Sequence, residues 1–253
     1  MIVGNGAEPS DLDPQLTTGI PERNIVVTLF EGLTRADPVT LEAQPGVAER
    51  WDVSEDGLVY TFHLRSGVTW SDGEPLTAHD FIASFRRMLA PELGSDNADN
   101  LYYVVNAEEF HQGRLKDFEQ VGFRVPDNRT LEVRLRHPTP FLPKSMAMRS
   151  WFPVPRHVIT RFGDLYTPGN HWTRPGNLVG NGPFVLQEWK PNVHVEVRRS
   201  PTYWDREKVR LGGVRFIPME NQPAEEAAFR VGQLHLTSGV PLTKIAVYKK
   251  TAA

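Results

Sequence analysis

Five histidine or carboxylate side chains crowd one short stretch. His63, Asp72, Glu74, His79 and Asp80 all fall within YTFHLRSGVTWSDGEPLTAHDF, Tyr60 to Phe81. Asp72, Glu74 and Asp80 form the densest carboxylate group. Carboxylates that converge in a cleft, with their pKa values pushed up, serve as general acid and base, so a hydrolase is the chemistry such a set would support. Each residue also has a local task. Asp72 belongs to a Ser71–Gly73 turn, in which Gly73 is free to adopt positive φ. Glu74 follows on the loop. Asp80 sits three residues after Thr77, as in a capping box with aspartate in place of glutamate. His63 falls on the polar face of a strand. These local tasks account for the three carboxylates and His63, so a scaffold is the expected reading.

Other motifs that carry chemistry are absent or incomplete. GNGPFV, from Gly180, has two glycines of a dinucleotide loop but no third, and it leads into a strand pattern. There is no phosphate-loop lysine motif and no nucleophile elbow. No two histidines have the one-turn helical spacing of zinc ligands around a glutamate. SDNADN, Ser95 to Asn100, resembles a calcium loop only in part, because glycine is missing at its sixth position and glutamate at its twelfth. There is no cysteine, which excludes disulfides, thiolate nucleophiles and cysteine-ligated metals. No metal and no cofactor is expected. The six tryptophans, at positions 51, 70, 151, 172, 189 and 204, are expected chiefly in the core.

The elements that must position these residues are short. VYTFHLR alternates, with Tyr60, Phe62 and Leu64 on one face of a half-buried strand. A helix capped by Thr77 follows, with Phe81, Phe85 and Met88 or Leu89 at helical spacing. RTLEVRLR is a second alternating strand. GPFVLQEW and VHVEVRR pair as a hairpin around Pro191-Asn192, and GVRFIP adds another strand. QPAEEAAFRVGQ is a helix, with Pro223 in its first turn and Gly232 as its stop. NIVVTLFEGL is apolar, and its periodicity leaves helix and buried strand both open. The order is strand-rich with interspersed helices, which implies a mixed α/β or α+β fold. Prolines in WFPVPRHVITRFG, Trp151 to Gly163, suggest a domain boundary there.

The 253 residues suffice for one large domain or two moderate ones. With 40% hydrophobic and 23% charged residues, the composition is that of an ordinary globular protein. A net charge of -3 gives no electrostatic basis for nucleic-acid binding. No apolar run approaches the ~18 residues of a membrane span. MIVGNGAEPSD lacks a basic region and a long apolar region, so no signal peptide is expected within the chain.

Taken in order, four blocks carry a resemblance. GVAERWDVSEDGLVYTFHLRSGVTWSDGEPLTAHDF resembles the signature region of the bacterial extracellular solute-binding proteins of family 5, the peptide-binding receptors of ABC importers. LDPQLTTGIPERNIVVTLFEGL is similar to the family's N-terminal segment. PGNLVGNGPFVLQEWKPNVHVEVRRSPTYWD is similar to its central block, and AAFRVGQLHLTSGVPLTKI to a later strand region. The resemblance implies a type II periplasmic-binding-protein fold, with two lobes closing on an extended peptide and an extra domain on one lobe. By that mapping, 31–155 is the inserted extra domain and 1–30 with 156–253 builds an incomplete first lobe. The second lobe, with the partners of the peptide termini, is expected to be absent, so the chain resembles an N-terminal portion.

The resemblance also implies the site. Thr18, Gly19 and Ile20 match the stretch that pairs with the peptide backbone, although Thr18 stands where an acidic residue is usual. Asn97 stands where a tyrosine usually touches ligand. Met148 replaces a histidine of oligopeptide-binding members. Ser238 and Gly239 match a polar segment near the peptide. The implied function is capture of oligopeptides for import, without catalysis, in the periplasm or elsewhere outside the cytoplasm, with a membrane-embedded ABC permease as partner. Receptors for dipeptides, murein peptides or nickel chelates are alternatives within the family. A carboxylate hydrolase, or a self-associating lobe, is the alternative of another class.

Overall fold

The computed structural model describes residues 1–251. Among these residues, ten strands run in chain order: β1 (Ile2–Gly4), β2 (Thr34–Ala36), β3 (Ala43–Pro45), β4 (Ala48–Val53), β5 (Val59–Leu64), β6 (Phe123–Asp127), β7 (Thr130–Arg134), β8 (Phe184–Lys190), β9 (His194–Arg199) and β10 (Gly213–Ile217). The longer helices are α1 (Ile20–Leu29) and α2 (Ala78–Leu89). Short α3 (Ala107–His111), α4 (Leu142–Ser145) and α5 (Arg156–Ile159) follow, then α6 (Gln222–Arg230) and α7 (Ile245–Thr251).

Two four-stranded sheets organise the mixed α/β fold. The first has the order β1-β10-β9-β8, with β1 parallel to β10 and the remaining pairs antiparallel. It joins the start of the chain to strands some two hundred residues later. The second, β4-β5-β7-β6, is antiparallel throughout and uses only 48–134. A β2-β3 ribbon stands apart from both.

Local sequence accounts for most elements. β5 buries Tyr60, Phe62 and Leu64 and leaves Thr61 and His63 on the other face. In α2 the spacing of Phe81, Phe85, Met88 and Leu89 places all four in the core, where each contributes about 1.5–3 kcal/mol on burial. Asn192, with φ 60°, makes the turn between β8 and β9. Helix α6 is capped by Asn221, whose side chain accepts from the Ala224 N–H at 2.9 Å, and Gly232 ends it with φ 77°. NIVVTLFEGL resolves as helix, because Pro21 in the first turn starts α1 and every third or fourth residue (Ile25, Val26, Leu29) is buried.

Trp151 to Pro155 is not an exposed linker. Its residues are buried, and the Trp151 ring meets Phe85 of α2 edge-on at 5.4 Å. One continuous cluster of buried side chains therefore runs beneath both sheets. Trp70, Trp151 and Trp172 are fully buried. The other three are partly buried against the same cluster.

The GNG segment owes its glycines to packing. The Gly182 N–H donates to the Leu29 carbonyl at 2.9 Å, and a Cβ at Gly182 would lie 2.5 Å from the Leu29 carbonyl carbon. A Cβ at Gly180 would collide with the Leu29 carbonyl oxygen. Asn181 exchanges hydrogen bonds with the backbone of Glu31 (3.1 and 2.8 Å). The Glu31 carboxyl accepts from the Tyr203 hydroxyl and the Trp204 indole, each at 2.6 Å. Burial pushes the Glu31 pKa up, against the downward pull of these two hydrogen bonds.

Candidate ligand-binding face

The approach to α1 is built from the inside outward. Asp11 accepts from the N–H groups of Leu12 and Asp13, and Asp13 from that of Gln15, which winds the chain into tight turns. Arg87 of α2 reaches this segment in the core. It donates to Asp13 Oδ2 at 2.7 Å, to Gln15 Oε1 at 2.7 Å and to the Leu165 carbonyl at 2.7 Å. The pair is almost completely buried, with side-chain exposures of 1% for Arg87 and 3% for Asp13. Gln15 in turn donates to the Ser84 carbonyl, and the Ser95 hydroxyl donates to the Gln15 carbonyl.

This anchorage pushes the next residues to the surface. Thr18 and Ile20 are exposed, and Gly19 caps α1 in an extended conformation (φ -71°, ψ 159°). Among the described residues, the N–H groups of Thr18 and Gly19 and the Thr18 carbonyl have no hydrogen-bond partner within the protein. An extended, exposed backbone with unused donors and an acceptor is a template for an added strand.

The residue before this template is held from two sides. Asn97 Nδ2 donates to the Thr17 carbonyl at 3.2 Å, and Arg149 Nε donates to the same oxygen at 2.9 Å. Asn97, Met148 and Arg149 share the wall of a cavity of about 490 Å³ beside α1. Burial lowers the Arg149 pKa, and the neighbouring Arg23 charge lowers it further. The structure thus gathers Thr18, Gly19, Ile20, Asn97 and Met148 around one edge.

Ser238 and Gly239 reach that edge through a chain of contacts. Segment 235–236 runs beside β1, where Gly4 N–H donates to the Leu236 carbonyl and His235 N–H to the Ile2 carbonyl. Ser238 then donates its N–H and hydroxyl to Glu225 Oε1 and Oε2, at 2.8 and 2.9 Å. Glu225 is fully buried over Gly4, where a Cβ would collide with its carboxylate. The following residue, Asn5, donates to the Pro21 carbonyl of α1 at 3.1 Å. The two segments therefore flank the C-terminal ends of the parallel strands β1 and β10, where open α/β sheets place their ligands.

The carboxylates of the Tyr60–Phe81 stretch do not converge. Asp72 pairs with His157 at 2.8 Å, and Ser71 N–H donates to the Gly180 carbonyl, which docks the turn on the first sheet's approach loop. Asp80 accepts from the Thr77 N–H and hydroxyl at 2.8 and 2.9 Å. Glu74 is exposed. His63 pairs with Asp52 on the strand surface. SDNADN spends Ser95 and Asn97 on backbone carbonyls and forms a short 3-10 turn. Among the described residues, no three His, Asp or Glu side chains gather as metal ligands. No helix among them is long and apolar enough to cross a membrane.

Sequence reasoning missed Arg87, Arg149, Arg23 and Glu225. Glu225 carried no signal, because two adjacent glutamates in a short helix read as a solvated face. Arg149 could have been noticed as the neighbour of Met148.

The family model for bacterial extracellular solute-binding proteins, family 5, matches residues 42–253. The chain belongs to this family. It is 38% identical over 240 residues to the periplasmic oligopeptide-binding protein OppA of Escherichia coli (strain K12), which covers 94% of this chain and 42% of that protein. It is 37% identical over 249 residues to the probable deoxycholate-binding periplasmic protein YgiS of the same organism, covering 98% of this chain and 45% of that one. The structure of Haemophilus influenzae OppA complexed with RPPGFSPFR matches with a TM-score of 0.93 at 34% identity, over 100% of this chain and 48% of that one. The chain thus spans somewhat under half the length of these family 5 relatives. They are named for what they bind, not for a reaction.

Proposed function

We propose that this chain forms one side of an oligopeptide-binding site in a solute receptor that serves an ABC permease outside the cytoplasm. The observation that carries the reading is the exposed, extended backbone at Thr18 and Gly19, with N–H and C=O groups left unpaired. A peptide added there as a strand is held through its own backbone, so affinity does not depend on its sequence. Asn97, Met148, Ser238 and Gly239 flank that strand and meet its side chains. The complex of the Haemophilus relative with a nonapeptide supports an extended peptide as ligand. The deoxycholate named for another relative shows how widely ligands vary among its kin.

The reading divides the chain into a lobe, 1–30 with 156–253, and an inserted domain, 31–155. Two facts support the division: β1 pairs with β10 across the whole chain, and the second sheet draws on 48–134 alone. One continuous cluster of buried side chains spans both parts. The opposing side of the clamp would come from the part of the relatives that this chain does not match. Isothermal titration with mixed tri- to pentapeptides tests the proposal. Binding weaker than micromolar is expected for a single side of a clamp. Sub-micromolar affinity would overturn the one-sided site, and no binding at millimolar peptide would overturn the peptide reading.

A further inference from the structure

The cavity beside α1 has a composition that the backbone template does not require. Its walls include Val27, Leu41, Phe141 and Met148, all of them exposed apolar side chains. Three cations, Arg23, Lys144 and Arg149, share the lining, and among the described residues no aspartate or glutamate does. Their counter-charges are weak or absent. Lys144 has only Glu42, at 4.0 Å, with both side chains more than half exposed, a geometry that contributes little. Neither Arg23 nor Arg149 has a carboxylate within 4.0 Å among the described residues. The acid that most offsets Arg149 is Glu22, whose carboxylate is already engaged by the Ser10 N–H and hydroxyl. Two guanidinium groups therefore repel each other across an apolar recess. The buried hydroxyl of Ser150, another wall residue, lacks a hydrogen-bond partner.

A volume of about 490 Å³ falls within the range of small-molecule sites, which pair apolar walls with a few placed polar groups. An anion would relieve the repulsion, and guanidinium is the side chain best matched to a carboxylate. We infer that this cavity selects ligands whose apolar body carries a carboxylate, with Arg23 and Arg149 as the specificity-determining cations. The inference rests on the peptide-receptor reading for its location. The same chemistry is offered by a non-peptide amphiphilic acid and by the apolar C-terminal residue of a peptide, whose carboxylate would then meet cations on this side of the clamp and not only on the opposing side.

The test titrates the whole chain with Ala-Ala-Phe, its C-terminal amide and decanoate, following backbone amide shifts. The free acid should bind about fivefold to tenfold more tightly than the amide, the value of one charge-assisted contact. Arg23→Gln should bring acid and amide within about twofold of each other and leave the melting temperature unchanged, since Arg23 is exposed. Arg149 is not the residue to change, because it also holds the Thr17 carbonyl. Decanoate shifting Met148 and Phe141 while neither peptide binds would support the inference and remove the peptide reading. Equal affinity of acid and amide in the unmodified chain would overturn the inference and leave the peptide reading standing. An unbound decanoate together with an Arg23→Gln variant that keeps the acid preference would also overturn it.

Discussion

Arg87 and Arg149 stand on either side of the same short segment and end in opposite ways. Arg87 reaches Asp13, Gln15 and the Leu165 carbonyl in the core, and it is closed to solvent. Arg149 gives one hydrogen bond to the Thr17 carbonyl and keeps the rest of its guanidinium on a cavity wall. The first fixes where the chain surfaces. The second borders what the surfaced chain would hold. The same side chain is scaffold where all its partners are internal and a candidate ligand contact where one internal bond leaves the rest of it on a cavity wall.

The largest effect should come from the closed side. Arg87→Met leaves Asp13 buried without its partner and should cost about 3–5 kcal/mol in urea unfolding. A loss below about 1 kcal/mol would break the contrast by placing Arg87 among the exposed pairs. Glu31 extends the comparison to an acid held by neutral donors. Its pKa is raised, so its favourable contribution is complete below the ordinary carboxylate range and is lost as pH rises through the raised value. In Glu31→Gln that slope, at most ~1.4 kcal/mol per pH unit for one proton, should vanish from stability measured across the acidic to neutral range. An unchanged slope would assign the pH dependence elsewhere. The smallest change belongs to the open side. Arg149→Met should lose about 1 kcal/mol of stability, the value of one hydrogen bond, and a loss as large as that of Arg87→Met would erase the difference.

Much of the scaffold was legible because it rests on local periodicity. The alternation in β5, the spacing of Phe81 and Phe85 in α2 and the Thr77–Asp80 cap are all written within a few residues of one another. The apolar run of α1 was ambiguous because ten residues of mixed aliphatics fit either period. Pro21 and the burial of every third or fourth residue decide for helix. The proline-rich stretch at Trp151 read as a composition break, and its burial was not legible beside it: Trp151 packs under α2, since prolines interrupt helices without forbidding burial. The candidate site was legible only as matched positions. Its supports join residues far apart in sequence, such as Arg149 with Thr17 and Asp72 with His157. Glu225 beneath Ser238 was invisible for a different reason, because nothing in a sequence marks a carboxylate that a glycine makes room for at Gly4.

In the proposed site, Thr18 and Gly19 present their backbone to a peptide. A titration of trialanine into the isotopically labelled chain, read by amide proton shifts, tests it most directly. The amides of Thr18 and Gly19 should move first and most, with those of Asp72 and Asp80 unchanged. Shifts confined to the Asp72 turn and the start of α2, with Thr18 and Gly19 still, would contradict it.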